Sequence, residues 1–343
     1  MITIKEMANM LGTSTTTVSN VIHGKTSEVS QAMVQRVEQM LEEYDYVPNI
    51  SARNLAQNKS KIIGVAMKAR KDKYENFMKD PFTGELVGSI EAAIRAKGYF
   101  MMIYIAEDIM EILKYVSTWN VDGLILLGML DDESIKIRKK YKKPAVYIDG
   151  YFYDNVVECV NIGLEDKKGG YDMTRYLIQC GHRKIAFLAD NCIGVDYERF
   201  MGYRQALEEE NIKFEEEDFI MIRPGEGEIA SSLNEIYRLA KKYTAFFCVS
   251  DYYAAMVMNY LKDKGMKIPR DISIVGFDDN LFGRTVRPAL TTVHQNVSKK
   301  GKMAVDILVD MIHGKEPENR KTHLPTRLVI RDSVKKLTGE ENK

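Results

Sequence analysis

The sequence predicts a small all-helical head followed by a two-lobed α/β core with parallel sheets. Residues 1–47 show helical spacing of apolar side chains and no strand of any length. From Lys61 onward, short apolar runs alternate with amphipathic helical stretches, which is typical of parallel strands covered by helices on both faces. The alternation runs in two successive series of about 100–130 residues, which indicates two similar lobes.

Composition is that of an ordinary globular protein. Of 343 residues, 45% are hydrophobic and 29% are charged, and Lys+Arg and Asp+Glu both number 49. The longest apolar run, at 123–130, is far shorter than the roughly 20 residues that span a bilayer. With no secretory signal and four scattered cysteines, we expect a cytoplasmic protein without disulfides, metal or cofactor. Transmembrane, secreted disulfide-rich and disordered classes are thereby excluded.

Helix-start signals divide the head into three short helices. Thr3 and Glu6 have the spacing of a capping box, in which the hydroxyl and the carboxylate each satisfy a backbone N–H group. Ser14 is expected to cap a second helix over Thr15–Val21, and Ser30 to cap a third. A helix–turn–helix with a supporting helix is the shape of a DNA-reading module. A capped surface helix with no such role is the alternative.

The rest of the chain divides into a linker and two series of strands. Residues 48–60 are polar apart from Ile50 and Leu55 and have the composition of a linker. Because ligands of parallel sheets bind beyond the carboxyl ends of the strands, we expect the ligand site in a cleft between two lobes. Helices such as Glu85–Lys97 and Arg199–Glu210 separate the strands. The predicted strands are Ile62–Met67, Phe100–Ile105, Val121–Leu127 and Ala145–Ile148, then Ile185–Leu188, Phe219–Ile222, Ala245–Val249 and Ile272–Phe277.

Specific motifs follow one another along almost the whole chain. They are TIKEMANMLGTSTTTVSNVIHG, YDYVPNISARNLAQNKSKIIGV, VDGLIL, GHRKIAF, ERFMGYRQAL, GMKIPRDISIVGFDD, RPALTTVHQ and LPTRLVIRDS. In this order and spacing, the sequence resembles the lactose/galactose repressor (LacI/GalR) family of bacterial transcription factors. The resemblance implies a core like that of periplasmic sugar-binding proteins, with crossovers that return the chain to the first lobe. It implies a helix-turn-helix DNA-binding head of 1–47, a hinge of 48–60, and lobes of 61–161 with 293–321 and of 162–292 with 322–340.

The resemblance also implies which residues contact double-stranded DNA. The second helix would lie in the major groove, where Thr reaches several base edges and Asn pairs with adenine. Many family members carry Arg where Asn20 stands, which predicts weaker reading of guanine here. Leu55 would wedge into the minor groove, although a lone exposed linker leucine is the alternative. The expected DNA contacts are Thr3, Ser14, Thr15, Thr16, Ser19, Asn20, Asn49, Ala52, Arg53 and Leu55.

The head carries little positive charge for a DNA-binding segment. Residues 1–60 contain five basic and six acidic side chains, whereas phosphate binding normally uses a basic face. Helix N-termini and hydroxyl groups can still hold phosphates. We therefore expect modest DNA affinity with a shallow salt dependence. The six bases within Lys136–Lys143 are interpreted as a solvated helix face.

By resemblance, a small-molecule effector lies between the lobes. Carboxylates, an arginine and an amide can bond vicinal hydroxyl groups, and an aromatic ring can cover a sugar face, so we expect a sugar or nucleoside. A carboxylate at a strand end can instead cap a helix, as Asp251 could cap Tyr252–Asp263. Gly227 stands where purine-binding relatives have a stacking aromatic residue, which argues against a purine. The expected effector contacts are Phe82, Asp149, Arg199, Asp251, Asp278 and Gln295.

The sequence thus predicts a ligand-responsive repressor of a carbohydrate-utilisation operon, with no enzymatic activity and no membrane partner. A homodimer is expected on a palindromic operator, because two-fold proteins read two-fold sites. The residues after Arg331 are too few for the leucine-heptad tail of tetrameric relatives. A corepressor-dependent regulator, a solute-binding protein without a DNA role and an enzyme on the same core are the alternatives.

Overall fold

The computed structural model describes residues 2–46, 59–68, 77–129, 131–151 and 159–337. The chain forms two compact units, one ending at Ser60 and the other beginning at Lys61. Within the described ranges, no helix is long and apolar enough to cross a membrane.

The head consists of α1 (Ile4–Leu11), α2 (Thr15–Ile22) and α3 (Gln31–Glu43). The predicted capping box is confirmed: Thr3 Oγ1 accepts from the Glu6 backbone N–H at 3.2 Å, and the Glu6 carboxylate accepts from the Thr3 N–H at 2.8 Å. Ser14 and Ser30 cap α2 and α3 as predicted. The three helices enclose a small apolar core of Met7, Ala8, Leu11, Val18, Val21 and Val37.

The first sheet of the core has six parallel strands: β1 (Ile62–Lys68), β2 (Phe100–Ala106), β3 (Gly123–Leu127), β4 (Ala145–Ile148), β5 (Val160–Leu164) and β11 (Lys321–Leu324). Their order across the sheet is β11-β5-β4-β3-β1-β2. The helices packed on it are α4 (Pro81–Ala96), α5 (Ile109–Trp119), α6 (Asp131–Lys140) and α12 (Val297–Ile312). The helices α4 and α12 cover one face of the sheet, and α5 and α6 cover the other.

The second sheet has four parallel strands in the order β7-β6-β8-β9 around an aromatic-rich core. Its strands are β6 (Ile185–Ala189), β7 (Phe219–Met221), β8 (Ala245–Cys248) and β9 (Ser273–Val275). Its helices are α7 (Asp166–Gln179), α8 (Gly194–Glu209), α9 (Glu228–Leu239), α10 (Asp251–Asp263) and α11 (Leu281–Thr285).

The chain crosses between the sheets after β5, before α12 and after β11. At the second and third crossings, β10 (Thr292–His294) pairs antiparallel with β12 (Arg327–Val329). The expected lobe limits at 161/162 and 321/322 fall inside β5 and β11 and are corrected to the ends of those strands. There the Glu165 N–H donates to the Leu324 carbonyl at 3.0 Å, which closes the sheet just before the chain leaves it.

Several predicted element ends also differ from the structure; the helix expected from Arg199, for example, begins at Gly194. The strand expected from Val121 begins at Gly123, because the side chain of Asp122 turns to accept a hydrogen bond from the Lys61 N–H at 2.9 Å. The helix expected from Glu85 begins at Pro81, where Asp80 supplies the cap to the Thr83 N–H.

Candidate functional site

A cavity of about 340 Å³ lies between the carboxyl ends of the two sheets. Leu127 and Asp149, at the ends of β3 and β4, line it from the first sheet. Val249 and Asp278, which follow β8 and β9, line it from the second. Side chains from both lobes therefore face one shared space, as expected for a site at the carboxyl ends of parallel strands.

Five of the six side chains expected to contact an effector line this cavity: Phe82, Asp149, Arg199, Asp278 and Gln295. Contact of each with a ligand remains a prediction. Further side chains in the lining were not singled out from the sequence, among them Lys68, Phe77, Asp80, Tyr151, Asn191 and Asp196.

Asp251 does not reach the cavity lining, so its expected role is corrected. Its carboxylate is fully buried, accepting from the Thr292 hydroxyl at 2.5 Å and from the Asn280 N–H at 2.9 Å. A side chain at Gly276 or Gly283 would collide with that carboxylate. The alternative capping role is also wrong, because Ser250 caps α10 with its own hydroxyl. Asp251 therefore joins the loops after β9 to the start of α10.

A chain of four polar side chains runs along the cavity wall from the first lobe to the second. Lys300, on α12, donates to both carboxylate oxygens of Asp149 at 2.8 Å and to Gln295 Oε1 at 3.2 Å. The Gln295 amide nitrogen donates to Asp278 Oδ1 at 2.7 Å. Burial raises the pKa of Asp149, while the ammonium group of Lys300 opposes that rise. Because every link has a partner, the acceptor oxygens that line the cavity have fixed positions.

A second polar chain crosses the lobes at Arg199, which is only 6% exposed. Its guanidinium donates to Asp166 Oδ1 and to the Val249 carbonyl, both at 2.8 Å, and lies 3.6 Å from the Phe277 ring centroid. The Tyr151 hydroxyl donates to the other oxygen of Asp166. Burial lowers the pKa of Arg199, but the neighbouring carboxylates outweigh it and raise the pKa. Arg199 is therefore a permanent cation held in one orientation.

Two glycines allow α7 and α8 to cross closely enough to present Arg199. A Cβ atom on Gly170 would overlap the Arg199 carbonyl oxygen. A Cβ atom on Gly202, one turn after Arg199, would overlap the Lys167 carbonyl oxygen. In the ERFMGYRQAL motif, Gly202 therefore allows the close helix crossing that fixes the position of Arg199.

The fully buried Lys300 is the main functional residue that sequence reasoning missed. It lies on the apolar stripe of α12 with Val297, Gly301 and Ala304, which are also buried. A lysine within an i, i+3, i+4, i+7 apolar stripe signals a buried charge that needs a partner. Asp149 is that partner.

In the head, the expected base-reading residues share one side of α2. Thr15 and Thr16 are exposed, Ser19 and Asn20 are half-buried, and Val18 and Val21 face the core. Ser14 and Thr3 use their hydroxyl groups as helix caps. The expected hinge contacts Asn49, Ala52, Arg53 and Leu55 lie outside the described residues.

Comparison with known proteins then assigns the family. A family model described as "Bacterial regulatory proteins, lacI family" matches residues 3–49, and a "Periplasmic binding protein-like domain" matches residues 174–334. The repressor PurR of Vibrio atlanticus is 31% identical over 98% of this chain and all of its own length. The chain belongs to the LacI family of bacterial regulatory proteins. PurR of Histophilus somni is likewise 32% identical, over 98% of this chain and its full length.

Solved structures share the fold of this LacI-family regulator. A complex of the transcriptional regulator CelR with cellobiose has a TM-score of 0.72 and 25% identity, covering 97% of this chain and 100% of its own. A lac repressor dimer bound to operator and the anti-inducer ONPF has a TM-score of 0.82 at 24% identity, covering 97% and 99%. The protein is a ligand-responsive, DNA-binding transcriptional regulator and not an enzyme.

Proposed function

We propose that this regulator is a repressor that binds a palindromic operator as a homodimer and leaves it when a sugar or sugar derivative fills the cavity. The observation that supports this effector class is the set of four carboxylates among the described residues of the lining: Asp80, Asp149, Asp196 and Asp278. Carboxylates are acceptors only, so they suit a ligand rich in hydroxyl donors. Phe77 and Phe82 add aromatic surface for the apolar face of a sugar ring.

The charges of the lining favour an uncharged ligand over a phosphorylated one. Among the described residues of the lining, the two cationic side chains already bind carboxylates, Lys68 that of Glu133 and Arg199 that of Asp166. A phosphate would bring further negative charge among the four carboxylates, in a space where charge interactions are weakly screened. The effector is therefore a neutral polyol, such as a mono- or disaccharide.

The relatives suggest two effector classes. The likeness to a CelR–cellobiose complex supports a sugar. The likeness to PurR repressors makes a purine base the second candidate. The test measures the melting temperature of the full-length protein with cellobiose, neutral monosaccharides, their 6-phosphates, hypoxanthine and guanine. A rise with a neutral sugar alone supports the proposal, whereas a rise with a purine base alone replaces the effector.

For the operator, α2 presents Thr15, Thr16, Ser19 and Asn20 to the major groove, and Leu55 of the hinge wedges into the minor groove. The full-length protein should select a palindrome from a random duplex library, because two copies of α2 read two half-sites. An Asn20→Arg variant should shift the selected half-site toward guanine, since Arg pairs with guanine and Asn with adenine. If the variant selects the same half-site as wild type, Asn20 does not read a base.

The homodimer proposal rests on an exposed apolar edge. β2 ends the first sheet, and Phe100 and Ile105 on it are 58% and 38% exposed. Met110, at the start of α5, is 49% exposed. Exposed apolar strand edges invite pairing with another chain, and a second copy would cover this one.

Ligand binding and DNA binding must be coupled in both directions. If the effector lowers operator affinity, operator must lower effector affinity by the same factor. A corepressor would show the opposite sign. A chain lacking 1–60 should keep ligand binding and lose DNA binding, and a solute-binding protein would show no DNA binding with the head present.

A further inference from the structure

The exposed positions in the second half of α6 carry basic side chains, and the acidic Asp132 lies one turn before them. Lys136, Lys139 and Lys140 lie at i, i+3 and i+4 and are exposed, while Ile137 and Tyr141 on the opposite side are buried. We call these three residues the lysine face. Such neighbours stand about 5–6 Å apart on a helix, so the three ammonium groups repel one another.

The lysine face differs from helix surfaces on which bases and acids alternate. On α4 and α7, for example, exposed bases pair with acids one turn away, as in Arg95–Glu91 and Lys168–Asp172. Within the described part of the chain, no ion pair involves Lys136, Lys139 or Lys140. The helix dipole favours bases in the last turn, but Lys136 lies before that turn. The three lysines therefore leave a local excess of positive charge on this part of the core surface.

The lysine face adjoins the edge of the core where the chain enters from the head. Just after α6, Lys143 donates to the carbonyls of Asn120 and Val121 at 3.0 and 2.9 Å. The next residue, Asp122, accepts from the N–H of Lys61, the first core residue. The starts of β4 and β1 are two strand spacings apart, which is about 10 Å.

We infer that the lysine face binds the phosphates of DNA flanking the operator. This inference rests on the proposed function, since DNA must be bound at the operator before its flanks can meet the core. The 14 residues between Tyr46 and Lys61 can span at most about 50 Å. Residues 1–60 have one more acidic than basic side chain. Phosphates that flank the operator would therefore be neutralised by cations elsewhere in the protein. Compact ammonium groups suit phosphate without base reading.

The test compares the operator palindrome, selected as above, in duplexes of about 20 and 40 base pairs, two and four helical turns. A Lys136→Gln/Lys139→Gln/Lys140→Gln variant keeps helix propensity while removing the charge. The matched control carries Lys262→Gln/Lys264→Gln/Lys267→Gln. Those exposed lysines lie just before β9, at the amino edge of the second sheet. The carboxyl ends of both sheets face the cavity, so this edge and the lysine face lie at opposite ends of the core.

Fluorescence anisotropy across a salt series gives the slope of log K against log[salt]. Wild type and control should bind the long duplex with a steeper slope than the short one. The lysine-face variant should lose about 2.7 from the long-duplex slope per protomer, 0.9 for each of three phosphate contacts. Equal slopes for variant and wild type would overturn the inference, and this result is also expected if an acidic protein occupies the face. If no palindrome is selected, the proposed function fails, and the inference fails with it.

Discussion

Lys300 donates hydrogen bonds to both carboxylate oxygens of Asp149 at 2.8 Å, and the two side chains are 1% and 10% exposed. The pair joins α12 to the end of β4 in the wall of the cavity. Burying two ions costs several kcal/mol each, and only a complete set of partners offsets that cost. The third N–H of Lys300 completes the set by donating to Gln295. One buried lysine therefore orients two of the residues expected to meet the effector.

A Lys300→Met variant should lose about 3–5 kcal/mol of unfolding free energy, because Asp149 would remain buried without its cation. The exposed neighbour Lys299 provides the control, and Lys299→Met should change stability by less than about 0.5 kcal/mol. Urea unfolding of the full-length proteins measures both. A Lys300→Met protein as stable as wild type would show that the ion pair does not stabilise the fold.

The Lys300→Met variant should regain unfolding free energy in two ways. Adding Asp149→Asn removes the uncompensated charge and should restore most of the loss. Burial already raises the pKa of Asp149, and losing Lys300 raises it further. The folded state then binds a proton more readily than the unfolded state, so the deficit should shrink as pH falls. A deficit that grows on acidification would contradict this account.

Gly202→Ala should destabilise the core by about 1–3 kcal/mol, the usual cost of overpacking. The added methyl group would overlap the Lys167 carbonyl and force α8 away from α7. Gly88, exposed on α4 with nothing within 4 Å of an added Cβ, is the control. Gly88→Ala should stabilise by about 0.4–1 kcal/mol, since alanine suits a helix interior better. Thermal melts compare the two, and equal effects would disprove the close crossing.

The buried His182 side chain should make the folded protein less stable in mild acid. It is fully buried between the Thr244 hydroxyl and the Lys335 carbonyl, and burial lowers its pKa to about 4. The unfolded chain, with a histidine pKa near 6.5, takes up the proton first as pH falls. About 2 kcal/mol should therefore be lost between roughly pH 7.5 and 5. Over the same pH range, a His182→Gln variant should lose about 2 kcal/mol less unfolding free energy than wild type, as measured by urea titration. Equal losses in the two proteins would show that His182 is not the group responsible.

The exposed edge of β2 predicts the oligomeric state. Phe100→Glu with Ile105→Glu should convert a dimer into monomers in sedimentation velocity, because charge at a buried apolar interface is costly. Trp119→Glu, at another exposed apolar residue of the first lobe, serves as the control and should leave the dimer intact. A dimer that survives the edge substitutions would place the interface elsewhere.

The sequence predicted helix starts best, because a capping side chain bonds to the backbone of its own helix. Thr3 with Glu6, Ser14 and Ser30 cap the helices that the sequence predicted, since a cap depends on residues three apart. The strand β5 was not predicted, although its five residues are all buried. Its sequence, VNIGL, contains an asparagine whose amide bonds the backbone of Gly150, a contact between distant residues that no local pattern reveals.

The same limit applies to predicting which side chains line the cavity. Strand-end position correctly suggested that Asp149 and Asp278 line a cavity, but it suggested the same for Asp251. Which strand-end carboxylate faces the ligand space depends on distant partners, in this case Thr292 and Asn280. Lys300 was missed because its partner, Asp149, is 151 residues away.

We propose that a ligand in the cavity controls operator binding, and substitution of Arg199 tests this coupling most directly. Operator affinity of wild type and of an Arg199→Lys variant would be measured by anisotropy with and without each sugar and purine named above. We expect one neutral sugar to weaken wild-type binding at least about fivefold, the lower range of allosteric coupling. The variant should bind operator normally and ignore the sugar, because lysine cannot reach Asp166 and the Val249 carbonyl together. Operator affinity that no compound changes, or an undiminished response in the variant, would contradict the account.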